Sequence, residues 1–372
     1  MIRVCHIISG DLWAGAEVMD YYLLKNLKKY NNLELYSIIL NDGRLASEIR
    51  SIGLPVNIVD ETQRSFFQII RDSKKILKQK SPDIIHSHGY KANITAFLSS
   101  RNLDGIRLIS TQHGMPESIG LNINSIYILL HKINIMLLSK SFYKVIAVSN
   151  DMRNILINRY GLSDNKVIKI YNGTDVCATP FLMKDNEIFI IGSIGRISPI
   201  KDYPLMVEIA NEVYKETDKV HFELAGDGPE MGKIIDLIKH YRLEKIFSLH
   251  GFVENRFEFY KGLDLYLNTS FHEGIPISIL EAMSYGIPII APNVGGLNEI
   301  LEDGIQGYLV EGRDPKVFAN RCLEIYNNIY LKHSMKYSAR EKVENEFSND
   351  RMAIEYYNLY FDIYNNTINI SL

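Results

Sequence analysis

SFHEGIPISILEAMSYGIPIIAPNVGGLNEIL, residues 270–301, carries the reading of the fold. Just upstream, LDLYLNT (263–269) is a near-continuous apolar run, as in a strand buried on both faces of a parallel sheet. HEG then makes a tight loop, and Pro276 is expected as the first residue of a helix, where a missing amide hydrogen is no loss. IPIIAP (287–292) reads as the next strand, and Gly295-Gly296 interrupts the chain again. Strand, helix and strand in this order are the repeating unit of an α/β sheet.

The same alternation runs outward in both directions. IRVCHIIS (2–9), LYSIIL (35–40), VNIVD (56–60), DIIHSH (83–88), RLISTQH (107–113), KVIAVS (144–149) and KVIKIYNGTD (166–175) form a first set of apolar runs. AEVMDYYLLKNLKKY and FFQIIRDSKKILKQK, which fall between them, repeat their apolar residues at helical spacing. Residues 176–187 lack periodicity, include Pro180 and suit a linker. A second set follows with EIFIIGSIG (187–195), HFELAG (221–226), IFSLHGF (246–252), the two strands above and QGYLV (306–310). The expected architecture is therefore two doubly wound, Rossmann-like parallel-sheet domains, 1–175 and 176–349, facing across a cleft. The stretch from about 350 to 372 is too apolar for a free tail and is expected to pack back on the first.

At 372 residues, with 46% hydrophobic and 23% charged, the chain can bury a core of this size. A net charge of -3 argues against a dedicated nucleic-acid binder. The halves differ, because residues 1–175 carry 22 Lys and Arg against 15 Asp and Glu, whereas 176–372 carry 19 against 29. The first half thus presents a cationic face. Three scattered cysteines, Cys5, Cys177 and Cys322, match no metal or redox spacing. MIRVCHIISG reads as a first strand and not as a secretory signal, and no stretch has the length of a membrane span. A cytoplasmic protein is expected, peripheral on the inner face of the cell membrane if it contacts one.

Several chemistries are excluded by their motifs. Gly10 and Gly15 have the outer spacing of a P-loop, but Ala16-Glu17 replaces the lysine and hydroxyl that grip phosphate and magnesium. There is no G-x-G-x-x-G after the first strand, no G-x-S-x-G elbow and no Asp-x-Asp pair, and Pro276 stands where a zincin would have its second histidine. What remains is a set of phosphate and hydroxyl binders after strands, where open α/β sheets hold ligands. Arg196 follows a strand-ending glycine and Lys201 opens the next helix, so a guanidinium fork and an ammonium could hold a diphosphate without metal. Glu273 precedes a helix whose free amides favour an anion, and Glu281 lies within it, an acceptor suited to paired ribose hydroxyls. Together they suit a sugar nucleotide. Singly, each has a plainer reading: surface cations, a helix-dipole charge, an exposed helical acid.

The combination GRISPIKD, LAGDGPE, HGFVEN, the 270–301 stretch and QGYLV, with HSHG (86–89), TQHG (111–114) and YNGTD (171–175), closely resembles the family 4 retaining glycosyltransferases, of GT-B fold. The likeness covers essentially the whole chain. It implies that 176–349 binds the nucleotide sugar and 1–175 faces the acceptor. Glu273 corresponds to the acid near the donor sugar's hydroxyls, with Gly274, Ile275 and Gly295 in the donor loops, and Glu281 to the acid on the ribose. Arg196 and Lys201 correspond to the pair that neutralises the leaving diphosphate in place of a metal, so no cofactor is implied. Gly10 and Gly15 match the first loop. Ala14 stands where the family has glycine, which puts the path of that loop in question because alanine resists positive φ. Phe252 and Val253 match the base-reading positions, and His113 a histidine near the donor sugar, equally readable as a satisfied strand-end histidine. Of His86 and His88, which alternate along one strand, only one is expected to face the cleft, and Trp13 could stack on an acceptor sugar or anchor a loop.

The resemblance implies transfer of a sugar from a UDP- or GDP-sugar to an acceptor hydroxyl with retained configuration. Transfer is described as occurring on one face, with the departing phosphate helping to deprotonate the acceptor. The setting would be bacterial surface polysaccharide or glycoconjugate synthesis, with a saccharide or a lipid-linked saccharide as acceptor. The apolar helix expected over 123–144, with Lys132, Lys140 and Lys144, could rest on an anionic membrane, though a buried crossover helix explains it more simply. Two other readings stay open: a sugar-nucleotide epimerase of the same fold, and a non-catalytic nucleotide-sugar-binding partner of another transferase.

Overall fold

A computed structural model describes residues 1–11, 13–114, 125–177 and 187–370. The linker expected over 176–187 lies mostly outside the described residues, as do the first two positions of the helix expected over 123–144. The chain divides into two units, Met1–Gly173 with Asn349–Leu372, and Thr174–Ser348.

In the first unit the strands are β1 (Ile2–Ile8), β2 (Leu33–Ile39), β3 (Val56–Ile58), β4 (Ile84–His88), β5 (Arg107–Gln112), β6 (Lys144–Ala147) and β7 (Val167–Lys169). All pair in parallel in the order β3-β2-β1-β4-β5-β6-β7. Their crossovers are α1 (Gly15–Leu27), α2 (Arg44–Ser51), α3 (Phe66–Lys80), α4 (Tyr90–Ser100), α5 (Ser125–Lys140) and α6 (Asn150–Asn154). β4 is buried at every position, the reason its sequence is apolar or neutral without alternation. Helix α3 starts where Ser65 and Gln68 form a capping box, Gln68 accepting from the Ser65 amide at 2.8 Å. Ile7, Ile38, Ile85 and Val145 meet in one core, each burial stabilising by roughly 1.5–3 kcal/mol.

In the second unit β8 (Phe189–Ile194), β9 (Val220–Ala225), β10 (Phe247–Gly251), β11 (Leu265–Leu267), β12 (Ile289–Pro292) and β13 (Gly307–Val310) form a parallel sheet in the order β10-β9-β8-β11-β12-β13. The helices are α7 (Tyr203–Tyr214), α8 (Met231–Tyr241), α9 (Arg256–Gly262), α10 (Ile277–Ser284), α11 (Leu297–Ile300), α12 (Pro315–Asn327) and α13 (Ile329–Glu346). Pro276 is the residue before α10 and not its first, with an extended backbone at ψ 122. Its ring blocks donation either way, so the helix begins one residue later at no cost.

The chain then returns to the first unit as α14 (Asn349–Ile370), packed along α1 and β1. Its Tyr356 and Tyr360 are fully buried, and Tyr357 stacks on Tyr30 at 4.3 Å. Each apolar run read from the sequence overlaps one of these thirteen strands. In each sheet the strand order reverses once, between β1 and β4 and between β8 and β11. Crevices at such reversals, beyond the strands' carboxyl ends, are where doubly wound sheets bind ligands.

Candidate active site

In the second unit the reversal between β8 and β11 is flanked by the loops carrying Arg196, Lys201 and Glu273. Lys201 ends a single turn, Pro199–Lys201, just before α7. Its Nζ lies 2.6 Å from Glu273 Oε1, which also accepts from Ser270 Oγ at 2.5 Å and from Asn268 Nδ2 at 3.5 Å. Arg196 is exposed on the loop that leaves β8. The loop after β9 fixes this one by backbone contact. Ile197 donates to Asp227 O at 2.9 Å, and a Cβ on Gly226, where φ is +138°, would lie 1.8 Å from Gly195 O. Glu273 is fixed likewise: its carbonyl accepts from the Gly296 amide at 2.9 Å, and a Cβ on Gly295, at φ +57°, would lie 2.0 Å from that oxygen. Gly226, Gly228 and Gly295 are thus required for close approach of main chains.

Glu281 is 6% exposed and already bonded at both oxygens, to Arg256 at 3.0 Å and to the Tyr260 hydroxyl at 2.8 Å. Burial pushes its carboxyl pKa upward, against the pull of Arg256. It is therefore no exposed helical acid, and the structure does not join it to the Lys201–Glu273 group by any direct bond. Phe252, following β10, is 56% exposed, with Val253 partly covered beside it, and Gly274 and Ile275 are buried under the Glu273 loop. No motif marks Arg313, whose guanidinium bonds Asp202 and the Thr269 and Ser270 carbonyls and stacks on Phe271 at 4.2 Å. It ties the Lys201 loop to the Glu273 loop.

In the first unit a pocket of about 300 Å³ lies over the reversal between β1 and β4, lined by Ser9, Glu17, Asp20, His88, Lys91 and His113 among others. Gly10 follows β1 at φ +71°, and Gly15 is the first residue of α1. Ala14 caps that helix in an extended conformation, φ -127°, so the alanine needs no positive φ and the loop closes without strain. Glu17 accepts from the Ala14 amide at 3.3 Å, and burial pushes its carboxyl up to about 7. Trp13 has Arg44 over its ring at 4.9 Å and Tyr21 at 6.1 Å, so one face is already covered.

Of His86 and His88, only His88 lines this pocket, as expected, though not because the two rings point to opposite faces. Residues two apart on a strand share a face. Both rings point the same way, 4.1 Å between centroids, and His6 from β1 joins them. His88 Nδ1 stands 2.6 Å from Asp20 Oδ1, at an oblique angle, and 3.2 Å from His113 Nε2. Asp20, beneath α1, is held far below the usual carboxylate range by His88 and His113, which outweigh its burial. Among the described residues, His6, His86 and His88, and Asp20, His88 and His113, each bring three possible metal-ligating atoms within 4.8 Å. In both groups the nitrogens already bond one another or hydroxyls, which accounts for the closeness without an ion. Asp20 was not read from the sequence, though an acid among the core positions of VMDYYLL is a signal that could have found it.

No helix among the described residues is long and apolar enough to cross a membrane. Two family models match the chain: Glycosyltransferase Family 4 over residues 13–177, and Glycosyl transferases group 1 over 188–328. The Escherichia coli UDP-Gal:alpha-D-GlcNAc-diphosphoundecaprenol alpha-1,3-galactosyltransferase is 26% identical across 97% of both chains. N-acetyl-alpha-D-glucosaminyl L-malate synthase of Bacillus anthracis is 24% identical over 78% of this chain and 77% of that one. Among solved structures, Anabaena HepE in complex with UDP and glucose superimposes with a TM-score of 0.83 at 18% identity, covering 96% of this chain and 99% of its own.

Proposed function

Because the chain belongs to the family 4 glycosyltransferases, we propose that it moves a sugar from a UDP-sugar to an acceptor hydroxyl, with retention, in the synthesis of a bacterial surface polysaccharide or glycoconjugate. The observation that carries this reading is the Lys201–Glu273 pair at the sheet reversal, held by glycine-packed loops beside Arg196. The acid takes the donor sugar's hydroxyls, and the cations take its diphosphate. When the bond from the anomeric carbon to the phosphate oxygen breaks, its electron pair goes to the diphosphate, where Arg196 and Lys201 meet the developing charge. The acceptor oxygen bonds the anomeric carbon on the same face, and its proton passes to the departing phosphate. His113 and the rest of the first-unit pocket serve the sugar end, with Glu281 and the Phe252–Val253 segment at the nucleoside end. Gly10 and Gly15 keep the first loop open to the phosphates.

Two cationic side chains doing the work of a divalent ion make the reaction independent of added metal, so chelator leaves the rate unchanged. Relatives that bear transferase names weigh against the epimerase and the non-catalytic reading. The acceptor is a saccharide on a lipid carrier, reached from an anionic membrane surface. Ile128, Leu129 and Met136 are exposed on α5 alongside Lys132 and Lys140, which supports such a contact. Sedimentation with anionic vesicles at low salt is the expected outcome, and failure to sediment removes the membrane from the account.

A thermal-shift series of UDP-, GDP- and ADP-sugars tests the donor, since a ligand of the folded state raises its melting temperature. A UDP-sugar gives the largest rise. Arg196→Ala is expected to lower kcat by about 10²–10³-fold at saturating donor. Unchanged turnover in that variant would overturn the assignment.

A further inference from the structure

The buried histidines of the first unit are joined to α14 by one unbroken run of hydrogen bonds. Tyr356 OH lies 2.9 Å from Thr111 Oγ1, which lies 2.8 Å from His86 Nε2. His86 Nδ1 is 2.7 Å from Tyr360 OH, which is 3.4 Å from His6 Nε2. His6 Nδ1 is 3.2 Å from His88 Nε2, and His88 Nδ1 is 3.2 Å from His113 Nε2. A single constraint orients every link. Asp20 stays ionised, and its Oδ1 lies 2.6 Å from His88 Nδ1 against 3.4 Å from His113 Nε2, so the nearer nitrogen carries the proton that meets the anion. Burial keeps His6, His86 and His88 neutral, so each has one donor and one acceptor. With His88 protonated at Nδ1, its Nε2 must accept from His6. His6 Nε2 must then accept from Tyr360, whose oxygen accepts from His86, and His86 accepts from Thr111, which accepts from Tyr356. At the far end His113 accepts at Nε2 and carries its proton on Nδ1. That atom is buried and has no partner.

From this geometry we infer that Tyr356 and Tyr360 of α14 are positioning residues for transfer. They set the histidine tautomers so that His113 enters the pocket with one unspent N–H, a donor for a substrate oxygen. The inference rests on the transferase reading for its purpose, though not for its chemistry. Bonds aligned head to tail polarise one another, so the last donor is stronger than an isolated imidazole. The other titratable groups facing the run are Asp20 and Glu17 from α1, Lys91 from α4 and His131 from α5 across the pocket, and Glu355 beside Tyr356.

Tyr360→Phe removes one oxygen and leaves the ring. His86 then loses its acceptor and His6 its donor, so His6 can take up the opposite tautomer. Its Nδ1 lone pair would then face His88 Nε2, and His88 becomes protonated at a higher pH. Imidazole nitrogen NMR is expected to find His88 and His113 as Nδ1–H tautomers in the full-length protein, and a mixed or charged His88 in the variant. With donor and acceptor, kcat is expected to fall about tenfold with donor KM within twofold, and the acid limb of the kcat profile to move up by half a pH unit or more. Tyr360→Leu shares the pH shift if the hydroxyl matters, whereas a merely structural tyrosine is rescued by Phe in every measurement. Should Tyr360→Phe fail to fold, Thr111→Val against Thr111→Ser breaks and restores the same run. Wild-type tautomers and an unmoved acid limb in both disruptive variants overturn the inference. A wild type that shows the tautomers but binds no nucleotide sugar overturns the transferase reading and leaves the wiring standing.

Discussion

The two candidate sites occupy matching places in the two units, at the reversal of strand order in each sheet, and they are built in opposite ways. In the second unit the positioning is done by main chain: loops after β8, β9, β11 and β12 approach so closely that Gly226 and Gly295 admit no side chain. In the first unit it is done by side chains, a buried run of histidine, threonine and tyrosine drawn from β1, β4, β5 and α14. Loops positioned by backbone contact fail on an added methyl. A site made of side chains tolerates a methyl and fails on the loss of an oxygen.

The largest expected effect tests the first half of that contrast. Gly226→Ala, with a strained φ and a 1.8 Å approach to a carbonyl, is expected to destabilise the second unit by about 3 kcal/mol or more and to abolish donor binding. The tautomers of the first unit should stay as they are, and intact UDP-sugar affinity in this variant would break the comparison. Glu281→Leu comes next. It removes the carboxylate that Arg256 and Tyr260 both bond, for a loss of about 1–3 kcal/mol in a denaturant melt, greater than for Glu281→Gln, which keeps a bonding oxygen.

The smallest effect sharpens the contrast from the other side. Glu17 titrates near 7 in the folded chain against an ordinary 4.5, so the folded state holds a proton that the unfolded state releases. Stability from this group is therefore full below about 4.5 and falls as pH rises through 7. Glu17→Gln is expected to raise the melting temperature by about 2–4 °C at pH 8, roughly 1 kcal/mol, and to change nothing at pH 4. Equal gains at both pH values would remove burial of the charge as the cause.

The same contrast explains what could be read in advance. The fold was legible, as two doubly wound domains of the GT-B type, because a strand buried on both faces must be apolar throughout. Glu273 and Gly295 were legible one by one, as residues in the loops after β11 and β12, whereas their carbonyl-to-glycine contact was not. The His6–Tyr360 contact joins residues 354 positions apart, and neither residue belongs to a motif. In sequence Asp20 looks like any other helical acid, and His86 and His88 share a face because the period of a strand is two. Arg313 was missed because its partners, Asp202, Thr269 and Ser270, mark nothing by their own identity.

The path of the chain through α14 has a consequence for how the molecule is made. Thr174–Ser348 is one uninterrupted segment, whereas the unit around β1 recruits a helix from beyond it. On the ribosome the second unit can therefore finish folding while the first still lacks Tyr356 and Tyr360 and keeps its histidines without their hydroxyls. An emerging chain would hold a folded second unit before a completed first one, which leaves the opening sheet uncovered for the longest part of synthesis.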